Sequence, residues 1–280
     1  MKHFVHEQAI PLAITVVTFF ILCALLFGTI SLLNFFPASE KIHPLLRYQD
    51  ILIGLTIYLK TSIDFAIFIG NLMHANPGWK KRISIEIGTA SGNAFGTMVI
   101  LTLWNFFREV PLLMAIMIIV ASLVLLRMAQ ESLEEFLRYK KLRSQTIHQS
   151  ISFLEQQLEF FNRLFKPFWG KLLPETGITT TKSLSFWNLA WFSFTIPFIL
   201  GLDDFAGYIP LFNVINVFGF SVGVFLGHML LNVALFVSPQ KTTKIVRHPL
   251  VLIIGGLAFV GIALWGFYES FHLLQTIFFH

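Results

Sequence analysis

Seven long apolar runs separated by short polar stretches set the pattern of this chain: 10–36, 49–73, 84–107, 110–130, 184–207, 210–237 and 249–268. A helix that crosses the hydrocarbon core needs about 20 consecutive, mostly apolar residues. Each run meets that length, so the pattern predicts an all-α, polytopic membrane protein of about seven transmembrane helices. The first run is about twice as long as a secretory signal core of roughly 7–15 residues. No small-x-small cleavage site follows it at Phe36-Pro37-Ala38-Ser39, and it is expected to stay as an uncleaved helix.

Composition agrees. Of 280 residues, 55% are apolar or aromatic and only 12% are charged, with 32 phenylalanines and a mean hydropathy of +0.73. Soluble chains carry about 25% charged residues, so a water-facing surface all round is excluded. The net charge of +5 is spread over the loops, which excludes a nucleic-acid-binding stripe and reads instead as an orientation signal. Of the 20 Lys and Arg, 16 fall on one side of the alternating spans: Lys2, Lys80, Lys81, Arg82, nine from Arg127 to Lys182, and Lys241, Lys244 and Arg247. Lys41, Arg47 and Arg108 lie on the other side, and Lys60 lies within a span. The expected topology has a cytoplasmic amino terminus and an external carboxyl terminus. Cys23 is the single cysteine, which excludes an intrachain disulfide, a CxxC zinc site and a redox pair.

Residues 131–182 form the only stretch polar enough to leave the bilayer. Within it Ile147, Ile151, Leu154, Leu158, Phe161, Phe165 and Phe168 alternate by four and three residues, which puts them on one helical face. Two readings follow. A membrane-surface helix would use Phe160 and Trp169 to widen the stripe and Arg163, Lys166 and Lys171 to reach headgroups. A coiled coil would make a homodimer through 147–168.

Two short motifs recur in the same order. Asp64-Phe65-Ala66-x-x-Ile69 in the second span returns as Asp204-Phe205-Ala206-x-x-Ile209. The following span in each case carries glycines every fourth residue: Gly88, Gly92 and Gly96 in one, Gly219, Gly223 and Gly227 in the other. Such spacing lets helix backbones approach closely. A plain apolar span follows in both halves. The chain thus divides into an amino-terminal helix and loop (1–48), a first three-helix repeat (49–130), a cytoplasmic amphipathic linker (131–183) and a second three-helix repeat (184–280). Three spans separate Asp64 from Asp204, so the repeats should run in opposite directions. Inverted repeats are a recurrent transporter architecture, with the substrate at the repeat interface and often on broken helices. Pro197, Gly201, Gly207 and Pro210 make the fifth span the likelier broken one.

Carboxylates in hydrocarbon cost at least about 2.5–3.5 kcal/mol and rarely sit there without a partner or a water-filled cavity. Asp64 lies deep within its span, Asp203 and Asp204 lie in the outer third of theirs, and Glu86 lies near the cytoplasmic start of the third. As helices, Lys60, Asp64 and Asn71 share one side of span two, Thr89, Asn93 and Thr97 follow Glu86 along span three, and Ser221, His228 and Asn232 align in span six. Carboxylate, amide and hydroxyl oxygens converging on one point suit a hard divalent cation. Plainer roles stand beside that one. Lys60 and Asp64 read equally as a structural ion pair, His228, Asn93 and Asn232 as hydrogen-bonding glue between helices, and Asp203-Asp204 as a solvated helix end.

At these residues the sequence resembles the lysine-exporter superfamily of inverted-repeat transporters, and within it the cadmium-resistance (CadD-type) transporters. Thr61-Ser62-Ile63-Asp64 is similar to the T-x-I-D of that family, and Gly201-Leu202-Asp203-Asp204-x-x-x-Tyr208-x-Pro210-x-Phe212 to its G-x-D-N-x-x-x-Y-x-P-x-F. Asp204 stands where the family has Asn, Phe65 where it often has a polar residue, and Lys60 and the 131–182 insertion have no counterpart in the pattern. The resemblance implies a transporter in a bacterial inner or plasma membrane with Asp64 and Asp203 at its site. Soft metals prefer sulfur, and Cys23 lies outside the repeats, so manganese, calcium or magnesium suits the oxygen ligands at least as well as cadmium.

The expected function is a secondary transporter that exports or exchanges a divalent metal cation by alternating access, with protons as a coupling ion if the carboxylates titrate. The metal candidates are Asp64, Asp203, Asp204 and Glu86. Lys60, Asn93, Thr97, Tyr208, Asn216, His228 and Asn232 are candidates for the substrate path. No nucleotide-binding motif and no HExxH or Ser–His arrangement in the spans is present, so neither ATP-driven transport within this chain nor an enzyme is expected, and no prosthetic group is expected. The alternatives are an exporter of amino acids or other small metabolites, with Lys60 and Asp64 holding the substrate's carboxylate and amine, and a non-transporting scaffold that recruits a partner through 131–182.

Overall fold

A computed structural model describes residues 10–38, 40–138, 145–172, 184–200, 202–246 and 248–279. Its helices are α1 (Ile10–Leu33), α2 (Tyr48–Thr61), α3 (Ile63–Ala75), α4 (Trp79–Phe107), α5 (Pro111–Leu137), α6 (Gln145–Leu172), α7 (Phe186–Leu200), α8 (Leu202–Phe212), α9 (Val217–Val237), α10 (Pro239–Val246) and α11 (Pro249–Phe279). Among the described residues there is no strand. The chain is all-α.

Among the described residues, four helices are long and apolar enough to cross a membrane: α1, α5, α9 and α11. The pair α2–α3 makes a fifth if it is counted as one span bent by 67°. These spans mark an integral membrane protein. The other two expected runs differ for identifiable reasons. Helix α4 has the length, but Glu86, Thr89, Asn93 and Thr97 dilute its apolar character. The fifth run is divided between α7, of 15 residues, and α8, of 11, each shorter than the roughly 20 residues a crossing needs.

Several expected boundaries move. The second run breaks at Ser62, where ψ rises to 30° with neither proline nor glycine to announce it, so the fifth run, expected as the likelier broken one, is not alone in being divided. Of Lys60, Asp64 and Asn71, expected on one face, Lys60 is buried and Asn71 is exposed, while the Asp64 side chain lies outside the described residues. Pro210 belongs to α8 and does not open the sixth span. That span begins at Val217, where the Asn216 side chain accepts hydrogen bonds from the Phe218 and Gly219 amides at 3.1 and 3.2 Å, a regular amino-terminal cap. The seventh helix runs on to Phe279.

The helices pack into two apolar clusters. The larger joins α1–α4 and α7–α9 with part of α5, and the smaller joins α5, α6 and α11. In the smaller, Ile151 and Leu158 of α6 are buried and Leu154, Phe161 and Phe165 partly so, while Asn162 donates to Gln130 Oε1 at 2.7 Å. The apolar stripe of α6 is therefore covered by α5 of the same chain. Ile147, Lys166, Phe168, Trp169 and Lys171 lie outside the described side chains. Phe153, Phe160 and Leu164, 65%, 77% and 73% exposed, remain on the outside of α6.

Close helix contacts cross between the halves of the chain. Helix α4 runs along α7, and α9 along α2. A Cβ added to Gly88 would fall on the Ala190 carbonyl oxygen, and one on Gly92 on that of Phe194. On the other pair, a Cβ on Gly223 would fall on the Ile51 carbonyl oxygen, and one on Gly54 on that of Phe220. Gly227 lies against Leu55 and Tyr58, and Gly219 against Leu45 and Asp50. Gly96 is the exception to backbone contact, since the Phe205 ring covers it.

Candidate functional site

Where α2, α4 and α9 meet, polar side chains are buried together. Helix α9 presents His228 and Asn232, four residues apart and 1% exposed each. Helix α4 presents Thr89, and α2 presents Tyr58. Asn232 Nδ2 lies 2.9 Å from His228 Nε2 and donates to Thr89 Oγ1 at 3.3 Å. Thr89 in turn donates to the Glu86 carbonyl at 3.2 Å. The amide donor makes Nε2 the acceptor, so the network assigns the imidazole proton to Nδ1. That proton points at Tyr58 Oη, 2.5 Å away. Phe65 of α3 lies against the same imidazole with ring centroids 5.3 Å apart. His228 thus ties four helices together.

Asn232 Oδ1 in this hub is buried without a hydrogen-bond partner among the described residues, as are Asn93 Nδ2 on α4, Ser193 Oγ on α7 and Ser221 Oγ two turns back from His228 on α9. Buried polar groups are nearly always paired, so these atoms have coordinating capacity that the described residues do not use. Hydroxyl and amide oxygens of this kind are ordinary ligands for hard cations. Thr97 is fully buried but bonds back to the Asn93 carbonyl at 2.9 Å within its own helix.

The expected carboxylates have two different standings. The side chains of Asp64, Asp203 and Asp204 lie outside the described residues. Their backbone positions are the second residue of α3 and the second and third of α8, at helix starts, where the dipole favours negative charge. Glu86 is described, and it is 2% exposed, so it is not a wet group at a helix start. It accepts a hydrogen bond from Thr15 of α1 beside a void of about 10 Å³ lined also by Pro11, Leu12, Val233 and Phe236, about the size of one water. Its carboxylate is thus turned to α1, one helical turn from the His228 hub. Among the described residues no three His, Cys, Asp or Glu side chains are grouped to hold a metal.

The remaining candidates divide by location. Lys60 is 8% exposed and reaches α5 and α11 across a cleft that α9 also lines. Its alkyl chain lies over Gly255, Nζ donates to Ser132 Oγ at 3.2 Å, and the Phe259 ring is 5.9 Å away. Tyr208 is fully buried among Phe205, Phe212 and Phe220. Asn216 caps α9 and donates to the His43 carbonyl at 2.7 Å, a loop-fastening role remote from the hub. Sequence reading missed Tyr58, Thr15, Ser193 and Gly255. Tyr58 carried a usable signal, since a tyrosine in an apolar span finds a hydrogen-bond partner when buried. Compared with known protein families, curated proteins and solved structures, the chain matches none.

Proposed function

We propose that this chain is a secondary transporter that moves a divalent cation by alternating access, built from one extra helix and two inverted three-helix repeats. The observation that carries the proposal is the reciprocal packing of α4 on α7 and α9 on α2, with α3 and α8 each starting one residue before Asp64 and Asp203-Asp204. Each half lends its glycine-bearing helix to the other's broken helix, as an inverted repeat around a midplane site requires.

Contacts at the two ends of the bundle support seven crossings. At one end Arg82 stacks on Phe236, with its guanidinium carbon 4.9 Å from the ring, and Ser84 donates to the Phe186 carbonyl. At the other, Arg108 donates to the Glu40 carbonyl at 2.5 Å, and Trp104 to Asn213 Oδ1 at 2.8 Å. These contacts support loops on alternate sides of the membrane, the arrangement read from the Lys and Arg distribution. A reporter fused after His280 and one inserted near Gln145 should therefore read on opposite sides of the membrane; the same side for both would remove the odd crossing number and the inverted repeat with it.

Phe65 lies beside His228, which follows Gly227, and Phe205 covers Gly96. The two motif phenylalanines hold matching places against the opposite repeat, which favours Asp204 as the partner of Asp64. Asn232 Oδ1, buried beside His228, is a neutral oxygen suited to a hard cation. Lys60 reaches α5 and α11, away from the hub, which favours a cation over an amino acid whose carboxylate it would bind. Proteoliposomes loaded with ion-sensitive dye should take up at least one of manganese, cadmium, calcium or magnesium, and Asp203→Asn with Asp204→Asn should reduce uptake to the empty-vesicle rate. Amino-acid flux with no response to any of these ions would overturn the proposal.

A further inference from the structure

A second feature is independent of the transport reading. Helix α2 follows α9 and α11 follows α5, and between these pairs the helices part. The gap is a cleft of about 520 Å³ whose walls are mostly apolar, Leu55, Leu59, Leu230, Ile254 and Phe259 among them, with Thr56 and Lys60 on the α2 side; the Lys60 ammonium is held by Ser132. Protein interiors leave few voids larger than a water, whereas sites of about 300–1,000 Å³ with apolar walls and a few polar groups are typical of bound small molecules. The mouth opens sideways: Leu230 and Ile254 on its walls are 49% and 68% exposed. In a bilayer, an opening of this kind faces acyl chains.

One end of the cleft is chemically distinct. The short helix α10 crosses it, with Thr242 turned inward at 8% exposure and Lys241 and Lys244 turned outward. The end of α9 that leads into α10 also receives Arg82, through Phe236. Mostly hydrocarbon walls, with Lys60 on the α2 side, thus lead to a hydroxyl and then to basic residues, the order in which a phospholipid presents its acyl chain, ester region and phosphate. Two lysines at the rim add charge complementarity, since each basic residue near the surface draws anionic lipid by about 1 kcal/mol. We propose that this cleft binds an anionic glycerophospholipid, with one acyl chain between α2, α9 and α11 and its phosphate over Lys241 and Lys244.

The test uses the full chain in mixed micelles of equimolar phosphatidylglycerol and phosphatidylcholine, with the lipid retained after washing counted by native mass spectrometry. Wild-type protein should retain about one phosphatidylglycerol per chain. Ala234→Phe with Ala258→Phe adds two rings at exposed wall positions and should cut retention at least about tenfold. Lys241→Gln with Lys244→Gln changes only exposed side chains; it should leave a lipid bound while the preference for phosphatidylglycerol falls by up to about thirtyfold. Unchanged retention in the filled variant, or equal retention of both lipids by the wild type, would overturn the proposal. So would retention of phosphatidylcholine alone.

Discussion

Replacing Gly223 by alanine should cost the protein its packed structure, while the same change at Gly28 or Gly261 should be harmless. A single methyl at Gly223 would fall on the Ile51 carbonyl oxygen and within 2.9 Å of the Ile51 Cα. Those are backbone atoms of α2, and no rotamer change can move them aside. The two helices would have to separate along their whole contact, removing Gly227 from Tyr58 and Tyr58 from His228. Overpacking a well-filled interior costs about 1–3 kcal/mol, sometimes more, and the upper end applies where backbone meets backbone. Gly92→Ala should behave alike, because its methyl would meet the Phe194 carbonyl oxygen. A methyl at Gly28 or Gly261 meets nothing within 4 Å; there alanine should stabilise by about 0.5–1 kcal/mol, as it does in helix interiors generally. Thermal denaturation in detergent separates these outcomes. Equal melting of Gly223→Ala and wild type would mean that α9 and α2 do not touch as described.

Asp64→Asn should abolish cation flux with the protein still folded, and it should stay abolished when Lys60→Met is added. Asp64→Asn alone is ambiguous, because Lys60 lies four residues away and is buried. Losing one member of a buried ion pair strands the other charge, whereas neutral groups in both places are commonly tolerated. The double replacement therefore distinguishes a structural pair, where function returns, from a metal ligand, where it does not. The fall in flux should exceed the roughly 10–100-fold that loss of a metal's outer-shell partner costs. Wild-type flux in the double variant would remove Asp64 from the site.

The legible part of this molecule was what periodicity and small residues encode. Apolar runs give the helices, and glycines at every fourth position give surfaces where a neighbour's backbone comes near. Which neighbour was not written locally. Gly92 bears no sign that Phe194 will cover it, because a seam records only the absence of side chains on one helix. The break at Ser62 escaped for a similar reason: it uses a ψ of 30° that any residue can adopt, so no proline or glycine marks it. The stripe on α6 was legible as a stripe but not by destination, since lipid, a partner helix and α5 ask for the same apolar face. His228 looked like either glue or ligand. Its bonds to Tyr58 and Asn232 account for the imidazole, while the orphaned Asn232 oxygen beside it keeps the ligand question with Asn232 and the Asp residues.

The crossed pairing of α4 with α7 and of α2 with α9 also has a consequence for how the chain is made. As residues 48–137 leave the ribosome and enter the bilayer, the bare glycine face of α4 and the Gly54 side of α2 have no cover, because the segments that cover them are still being synthesised. The first half must wait in the membrane with lipid filling its seams until α7 and α9 arrive and displace it. Assembly is therefore completed late, α7 covering α4 first, α9 then covering α2 and α11 last covering α5, and its vulnerable interval begins with the synthesis of the stretch between α5 and α9. A membrane insertase or chaperone would matter most to this protein during that interval.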